Sequence, residues 1–245
     1  MAATDQRNEV FARIREALRV PAPHRHAHPA PGAATDAAPT PGVGTAHDDG
    51  PPAADAFRAW LPAVGPSLND QLVLFAFNCM QLRTEHYTLT SLDEAAAQLA
   101  LLARENNWRQ IATHRHPLAL PLAEKLALPT LLTDDGYAIP DLERCQAAIT
   151  GCDALVAQTG SILVSSGSAG GRALSVLPPH HVVIAQKSQL VPDLAAALGL
   201  VRERYAPNWP SFLSFITGPS RTGDIERILV LGAHGPKRLT VLIVP

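Results

Sequence analysis

From Phe57 onward, segments with a helical spacing of apolar residues alternate with short runs rich in valine, isoleucine and leucine. The helical spacing covers 67–82, 91–105, 118–126, 141–149 and a segment that starts near Pro192. The strand-like runs cover 84–88, 109–113, 129–132, 154–157, 161–165, 181–185, 212–216, 228–231 and 239–244, of which 228–231 could instead end a helix. This alternation predicts an α/β layered domain with a largely parallel or mixed sheet flanked by helices.

Two segments precede this domain. Residues 8–19 have the pattern of an amphipathic helix, with Val10, Phe11, Ile14 and Leu18 on one face. This helix docks either within the chain or on another subunit. Residues 20–56 are rich in proline and alanine and have no regular period, which is typical of a flexible linker. The predicted organisation is therefore an N-terminal helix (1–19), a linker (20–56) and an α/β domain (57–245).

Composition limits the possible partners and the compartment. The 245 residues carry a formal net charge of −2, with 47% hydrophobic and 17% charged residues, which gives no support for nucleic-acid binding. The longest apolar run, Leu72 to Met80, is too short to span a membrane. The N-terminus lacks an apolar signal core. Three scattered cysteines, Cys79, Cys145 and Cys152, fit neither a disulfide framework nor a metal site. We expect a cytoplasmic protein.

Two glycine-rich segments follow strand-like runs in the C-terminal half. The first extends from Thr159-Gly160-Ser161 through a looser stretch, Gly167 to Arg172, and the second from Thr217 to Glu226. Backbone amides in such turns, small hydroxyl side chains and an arginine favour a small anion. Neither segment has the spacing of a phosphate loop or of a dinucleotide fingerprint. The alternative for the stretch before Arg172 is a plain surface loop.

The second segment offers the most direct anion site. The turn Gly218-Pro219 is predicted to open a helix within 220–224, since Ser220, Thr222 and Asp224 all suit an N-cap. Alternatively, these side chains only cap the helix. The predicted substrate-binding residues share flexible backbone, a hydroxyl group or a guanidinium. They are Thr159, Gly160, Ser161, Arg172, Gly218, Ser220, Arg221 and Thr222.

A third turn, Gly232-Ala233-His234-Gly235-Pro236, adds an imidazole that titrates near neutral pH. His234 is therefore a candidate acid or base, and Asp224 is another; otherwise His234 is a turn histidine bound to a carbonyl group. No residue is assigned a catalytic role. No metal site is predicted.

The order of four motifs resembles the lactate-utilisation (LUD) domain family, in particular its lactate utilization protein C (LutC/YkgG) branch. The motifs are Thr159-Gly160-Ser161 through Arg172, Leu177-Pro178-Pro179-His180-His181, Gly218-Pro219-Ser220-Arg221-Thr222-Gly223-Asp224-Ile225-Glu226, and Gly232-Ala233-His234-Gly235-Pro236. The resemblance implies a fold similar to the NagB/RpiA/CoA transferase-like superfamily. It also implies a role in oxidation of L-lactate to pyruvate alongside iron–sulfur subunits. Coenzyme A transferases use a glutamate nucleophile in a recognisable motif, for which this sequence has no equivalent.

Three hypotheses follow for function. The chain is a non-redox component of a lactate-oxidising complex that binds lactate or a related small carboxylate, with no cofactor of its own and iron–sulfur clusters on its partner subunits. Alternatively, it is a stand-alone enzyme acting on a sugar phosphate or an acyl thioester, as fold relatives do. It could also be a ligand-sensing or assembly protein that docks through its N-terminal helix.

Overall fold

The computed structural model describes residues 61–222, 230–232 and 234–245. The predicted N-terminal helix and linker lie outside the described residues. The helices are α1 (Leu68–Leu82), α2 (Leu92–Glu105), α3 (Ala119–Glu124), α4 (Ile139–Glu143) and α5 (Leu194–Tyr205). The strands are β1 (Glu85–Thr88), β2 (Ile111–Thr113), β3 (Thr130–Leu132), β4 (Ala147–Thr150), β5 (Ala154–Val156), β6 (Ser161–Ser165), β7 (His180–Gln186), β8 (Leu190–Val191), β9 (Leu213–Ile216), β10 (Arg221–Thr222), β11 (Val230–Leu231) and β12 (Arg238–Val244).

A six-stranded sheet forms the centre of the fold, with the strand order β1-β12-β7-β4-β2-β3. Every neighbouring pair in it is parallel. Because side chains alternate along β7, Val182 and Ile184 pack with α2 and α3 on one face of the sheet. Val183 and Ala185 pack with α1 on the other face. The expected α/β layered fold, with a largely parallel sheet flanked by helices, is confirmed.

A second sheet of four strands, in the order β8-β5-β6-β9, lies beyond α1. Its β5–β6 hairpin and the β6–β9 pair are antiparallel. Leu155 and Ile162 share a core cluster with α1 and the large sheet. Val156 and Leu163 face the other way and pack with α5. The hairpin is therefore buried on both faces, which fixes the position of the turn that joins its strands.

Local capping sets the ends of α1. The Ser67 hydroxyl accepts a hydrogen bond from the Asp70 amide at 3.1 Å, and the Asp70 carboxylate accepts one from the Ser67 amide, which forms a capping box. The helix ends at Arg83, whose φ of 60° is left-handed. The last turn of α1 is thereby held beside the β5–β6 turn and the end of β9.

One predicted element was wrong. The predicted helix over 141–149 is instead the short α4 followed by β4, because Ala147–Thr150 is a buried run that pairs with strands on both sides. Helix α5 begins near Pro192, as predicted, with Asp193 as its cap: the Asp193 carboxylate accepts a hydrogen bond from the Ala196 amide. Arg221 and Thr222 form a strand paired with β11, and residues 223–224, where the predicted helix would otherwise open, lie outside the described residues.

None of the helices in the described part of the chain is long and apolar enough to cross a membrane.

Candidate functional site

The two predicted glycine segments meet at the turn between β5 and β6, which we call the hairpin turn (residues 159–161). The Ser161 hydroxyl lies 2.8 Å from the hydroxyl of Thr159 and 2.8 Å from that of Thr217. Strands β6 and β9 are antiparallel, with Ile162 opposite Ile216. The next position along the pair therefore brings Thr217 beside Ser161. Three hydroxyl groups thus form one chain that joins both segments.

Glycine is required where both segments approach the end of α1. Gly160 and Gly218 have φ values of +65° and +87°. A Cβ atom on Gly160 would lie 2.8 Å from Cβ of Asn78, and one on Gly218 would lie 3.0 Å from the carbonyl oxygen of Leu82. Asn78 also donates hydrogen bonds to the carbonyl groups of Ala157 and Gln158 at 2.8 and 3.0 Å. The helix end therefore fixes the geometry of both turns.

A cavity of about 260 Å³ lies on the side of the second segment. Its walls come from the end of β9 and the following turn, from the third turn, from the starts of β7 and β12, and from one helical turn before β7. The described lining residues are Ser175, Val176, His181, Phe215, Ile216, Thr217, Gly218, Pro219, Ser220, His234, Gly235, Pro236 and Leu239. We call residues 217–220 the GPS turn and residues 234–236 the HGP turn.

Hydrogen bonds at Ser220 join the GPS turn to the chain around the HGP turn. The Ser220 amide donates to the carbonyl group of Pro236 at 2.9 Å, and its carbonyl group accepts from the Gly232 amide at 2.8 Å. Its hydroxyl oxygen accepts from the His234 amide at 3.3 Å. The hydroxyl proton of Ser220 remains available for donation to a ligand.

The polar character of the cavity suits an anion. The backbone amides of Gly218 and Gly235 donate no hydrogen bond to the part of the chain that the structure describes. Nη2 of Arg221 lies 3.3 Å from the position that a Cβ atom on Gly218 would occupy, so the guanidinium group lies beside the GPS turn, although Arg221 is not among the described lining residues of the cavity. No aspartate or glutamate is among the described lining residues. Together these groups can neutralise and orient a small carboxylate.

His181 is a cavity residue that was not among those predicted from the sequence. It is completely buried, and burial lowers its pKa to about 3, with a smaller contribution from neighbouring His180. The ring is therefore neutral at physiological pH. The signal in the sequence was its place at the start of an apolar strand, where a histidine is unusual. His234, which the sequence did select, is exposed at the edge of the cavity.

The structure separates the two arginines that the sequence analysis placed in one site. Arg172 is exposed and lines a different cavity, of about 320 Å³, with Tyr137, Ile139 and Leu177. Val176 contacts both cavities. Thr159, Gly160 and Ser161 support the GPS turn through hydrogen bonds and packing without lining the cavity. Thr222 continues the backbone as β10, and Asp224 lies outside the described residues.

A second polar cluster, also missed from the sequence, surrounds the looser part of the first segment, which we call the glycine loop (residues 166–172). At its centre is Asp153, which is completely buried. The carboxylate accepts hydrogen bonds from Ser168 at 2.7 Å, from Arg204 at 2.8 Å and from Tyr205 at 2.5 Å. All of these donors belong to the chain itself, so this cluster clamps the loop in place.

Histidines also lie beneath the glycine loop, after β2. A Cβ atom on Gly170 would lie 2.4 Å from Cβ of His114, which is 2% exposed. Nδ1 of His116 lies 3.3 Å from the amides of Leu118 and Ala119, so this ring caps the start of α3. No group of three or more histidine, cysteine, aspartate or glutamate side chains in the described ranges could hold a metal ion.

Comparison with known proteins identifies relatives. Residues 90–244 match the family model of the LUD domain. Lactate utilization protein C of Bacillus subtilis is 34% identical over 201 residues, which cover 74% of this chain and 80% of that protein. Lactate utilization protein C of Geobacillus sp. strain WCH70 is 38% identical over 104 residues, which are 42% of this chain and less than half (43%) of that protein. A DUF162 family protein from Deinococcus radiodurans has a similar fold, with a TM-score of 0.59 and 22% identity over 74% of this chain and 100% of that one.

Proposed function

This chain belongs to the LUD domain family, and we propose that it serves in L-lactate utilisation by binding a small carboxylate in the cavity between the GPS and HGP turns. The carboxylate receives hydrogen bonds from the amides of Gly218 and Gly235 and from the Ser220 hydroxyl. The Arg221 guanidinium supplies positive charge from beside the GPS turn. The observation that carries the proposal is that Gly218, Ser220 and Gly235 line one cavity, with no acidic residue among its described lining residues.

The size of the cavity favours a small acid. A volume of about 260 Å³ corresponds to roughly nine water molecules and lies below the usual range of drug-sized ligand sites. A three-carbon hydroxy acid and a few waters fit this space, whereas a coenzyme A thioester requires a far larger groove. The cavity therefore supports the lactate hypothesis over the acyl thioester alternative.

The residues of the hairpin turn have a supporting role in this proposal. Ser161 links the Thr159 and Thr217 hydroxyls, and Gly160 allows the turn to approach α1 closely. The backbone of Thr222 pairs with Val230 of β11, which holds the strand that contains Arg221 in place. These residues orient the GPS turn, and through it the groups that contact the ligand.

We further propose that the redox step takes place with partner subunits. Oxidation of lactate to pyruvate removes two electrons, and this chain has three cysteines, one fewer than the usual four-cysteine ligation of an iron–sulfur cluster uses. The clusters that receive the electrons would therefore belong to iron–sulfur subunits. The chain described here would present the substrate to them in the cytoplasm.

A binding titration tests the ligand site. In isothermal titration calorimetry with L-lactate, Arg221→Ala should weaken binding about tenfold or more, because a hydrogen bond to a charged group is lost. Arg172→Ala is the matched control, since this arginine is also exposed and follows a glycine-rich stretch but lines another cavity. Equal affinity in wild type and Arg221→Ala would remove Arg221 from the site, and weakening by Arg172→Ala alone would move the site to the other cavity.

Co-purification with iron–sulfur subunits, followed by a lactate-oxidation assay with and without this chain, tests the role in a complex. The proposal predicts that omission of the chain lowers lactate oxidation. Turnover of a sugar phosphate or a thioester by the isolated chain would instead support a stand-alone enzyme.

A further inference from the structure

Helix α1 is apolar on two faces, and the described part of the chain covers one of them. On the inner face, Phe75 and Cys79 are completely buried in the core between α1 and the two sheets. On the outer face, Val73, Phe77 and Met80 are 62%, 54% and 63% exposed. Their spacing of four and three residues places them in one row along the helix. A helix that is apolar all round is normally buried, so we expect the outer row to contact another surface.

The outer row of α1 borders an open edge of the six-stranded sheet. Strand β1 is the last in the strand order and pairs only with β12 among the described strands. Phe77 and Met80 line a cavity of about 460 Å³ together with residues 84–87, which include most of β1. The outer side of an edge strand offers backbone groups to another chain. The helix row and the sheet edge therefore form one continuous surface, which we call the α1 surface (Val73, Ala76, Phe77, Met80 and residues 84–87).

The charges at the two ends of α1 indicate what covers this surface. Asp70 lies in the first turn of the helix and Arg83 at its C-terminal cap, and both residues are exposed. Residues 71–82 between them carry no charged side chain. The hydrogen bonds from Ser67 to the Asp70 carboxylate use Oδ2, so Oδ1 is available to a cation. With one acidic end and one basic end, the helix is complementary to a copy of itself that runs in the opposite direction.

We propose that the α1 surface is the interface of a homodimer, in which the α1 helices of the two copies pack antiparallel about a two-fold axis. The register that places Asp70 of one copy opposite Arg83 of the other also places Val73 opposite Met80. Phe77 then lies at the centre, next to the two-fold axis. Such a self-complementary patch is what a two-fold dimer requires. The α1 surface shares no lining residue with the carboxylate cavity, so the dimer is independent of the proposed function.

Sedimentation velocity measurements on the full-length chain test the dimer. Wild type should sediment as a dimer at micromolar concentrations. Phe77→Glu should raise the dissociation constant of the dimer about thirtyfold or more, because it replaces a central aromatic residue with a charge that lies beside its own copy. Leu198→Glu is the matched control, since Leu198 is an apolar residue on α5 with a similar exposed fraction of 52%. This control should leave the dimer unchanged.

The antiparallel arrangement makes a separate prediction for the ends of the helix. Arg83→Asp brings two carboxylates together at each end of the interface. The dissociation constant should therefore rise about tenfold at low salt and by a smaller factor at high salt. Aspartate is suited to the left-handed backbone of this position, where φ is 60°.

A disulfide cross-link tests the register directly. In the double variant Val73→Cys/Met80→Cys, oxidation should join the two subunits. The two positions within one helix lie about 10 Å apart along its axis, too far to form a disulfide in the same chain. The natural cysteines are buried and should contribute little background. Each single variant should form far less covalent dimer on a non-reducing gel.

A monomeric wild type over this concentration range would overturn the inference and leave the carboxylate site untouched. Equal effects of Phe77→Glu and Leu198→Glu would also overturn it, as would single cysteine variants that cross-link as well as the double variant. If the wild type is monomeric and Phe77→Glu instead abolishes binding to an iron–sulfur subunit, the α1 surface belongs to that partner and not to a second copy. The wild-type measurement decides the question even if Phe77→Glu does not fold.

Discussion

The glycine loop and the GPS turn with the following Arg221 look alike in sequence, since each combines glycine, serine and arginine after an apolar strand, yet their surroundings differ. In the glycine loop, the Ala169 amide donates to the carbonyl group of Ser165 at the end of β6 at 3.0 Å, and the Gly171 amide donates to that of Ser166 at 2.8 Å. One of its two serines, Ser168, donates to the buried Asp153. In the GPS turn, the amide of Gly218 makes no such bond among the described residues, and the turn faces a cavity.

The difference lies in the partners that distant parts of the chain supply. Asp153 and Tyr205 are separated by about fifty positions along the chain, and they meet only in the fold, where they satisfy the polar groups of the glycine loop. The GPS turn receives support from α1 and the hairpin turn, and its Gly218 amide donates no hydrogen bond among the described residues. A glycine-rich segment is therefore a binding site only if the fold leaves its amides and hydroxyls without protein partners.

The largest effect should come from removing the clamp of the glycine loop. Asp153→Ala leaves the Ser168 and Tyr205 hydroxyls without their acceptor and Arg204 without its counter-ion. We expect a loss of about 3 kcal/mol or more in the free energy of unfolding, as for other broken buried ion pairs. Urea denaturation measures this. Asp141→Ala, which removes a partly exposed pair with Arg144, should cost less than about 1 kcal/mol. Similar losses in both variants would show that the loop is not clamped.

A smaller effect should follow from adding a methyl group to the same loop. A Cβ atom on Gly170 would lie 2.4 Å from Cβ of His114, and its φ is +62°, so Gly170→Ala should destabilise the chain by about 2–3 kcal/mol. Gly171 has a φ of +94° but open space around it. Gly171→Ala should therefore cost only the backbone strain, about 1 kcal/mol. Thermal denaturation measures the loss of stability in the two variants. Equal losses would mean that the loop does not pack closely on His114.

In their response to acid the two regions should be similar, because each covers a neutral, buried histidine. Burial is the main cause that lowers the pKa of His114 to about 4 and that of His181 to about 3. Below the ordinary value of about 6.5, the unfolded chain binds protons that the folded chain does not, so stability decreases as pH falls. Each histidine should lower the free energy of unfolding by about 1 kcal/mol for each pH unit of acidification between roughly pH 6 and pH 4.5. Urea denaturation at pH 6 and at pH 5 measures how much unfolding free energy is lost on acidification. This loss should be smaller in His114→Gln and in His181→Gln than in wild type, and the same loss in a variant as in wild type would contradict these pKa shifts.

Sequence patterns predicted the architecture because apolar period and capping are local properties. The helices predicted over 67–82 and 91–105 begin behind serine caps, Ser67 and Ser91, and the strand-like runs 154–157 and 161–165 form β5 and β6. The helix predicted over 141–149 was wrong, because a short apolar run buried on both sides has no period that distinguishes a strand from a helix. Within the segment 220–224, where a helix was expected to open, Arg221 and Thr222 pair with β11, and the pattern of the turn before them did not indicate this strand.

The candidate site was predictable only in part. The GPS and HGP turns carried visible signals, since glycine, proline and hydroxyl residues cluster there. His181 carried only a weak signal, its place at the start of an apolar strand, because its position in the cavity wall depends on strands that pair only in the fold. Arg172 and Arg221 looked equivalent in sequence, and only the fold separates them: Arg172 lines the second cavity, and Arg221 lies beside the GPS turn.

The most direct test of the account is an NMR titration of the 15N-labelled, full-length chain with L-lactate, observed through the backbone amides of its glycines. Saturable shifts of the Gly218 and Gly235 amides are expected, because both glycines line the cavity and neither amide donates a hydrogen bond among the described residues. The Gly171 amide of the glycine loop, which donates to the carbonyl group of Ser166, should remain unchanged. Shifts confined to the glycine loop, or none at Gly218 and Gly235 at saturating lactate, would contradict the assignment of the small-acid site to the cavity beside the GPS turn.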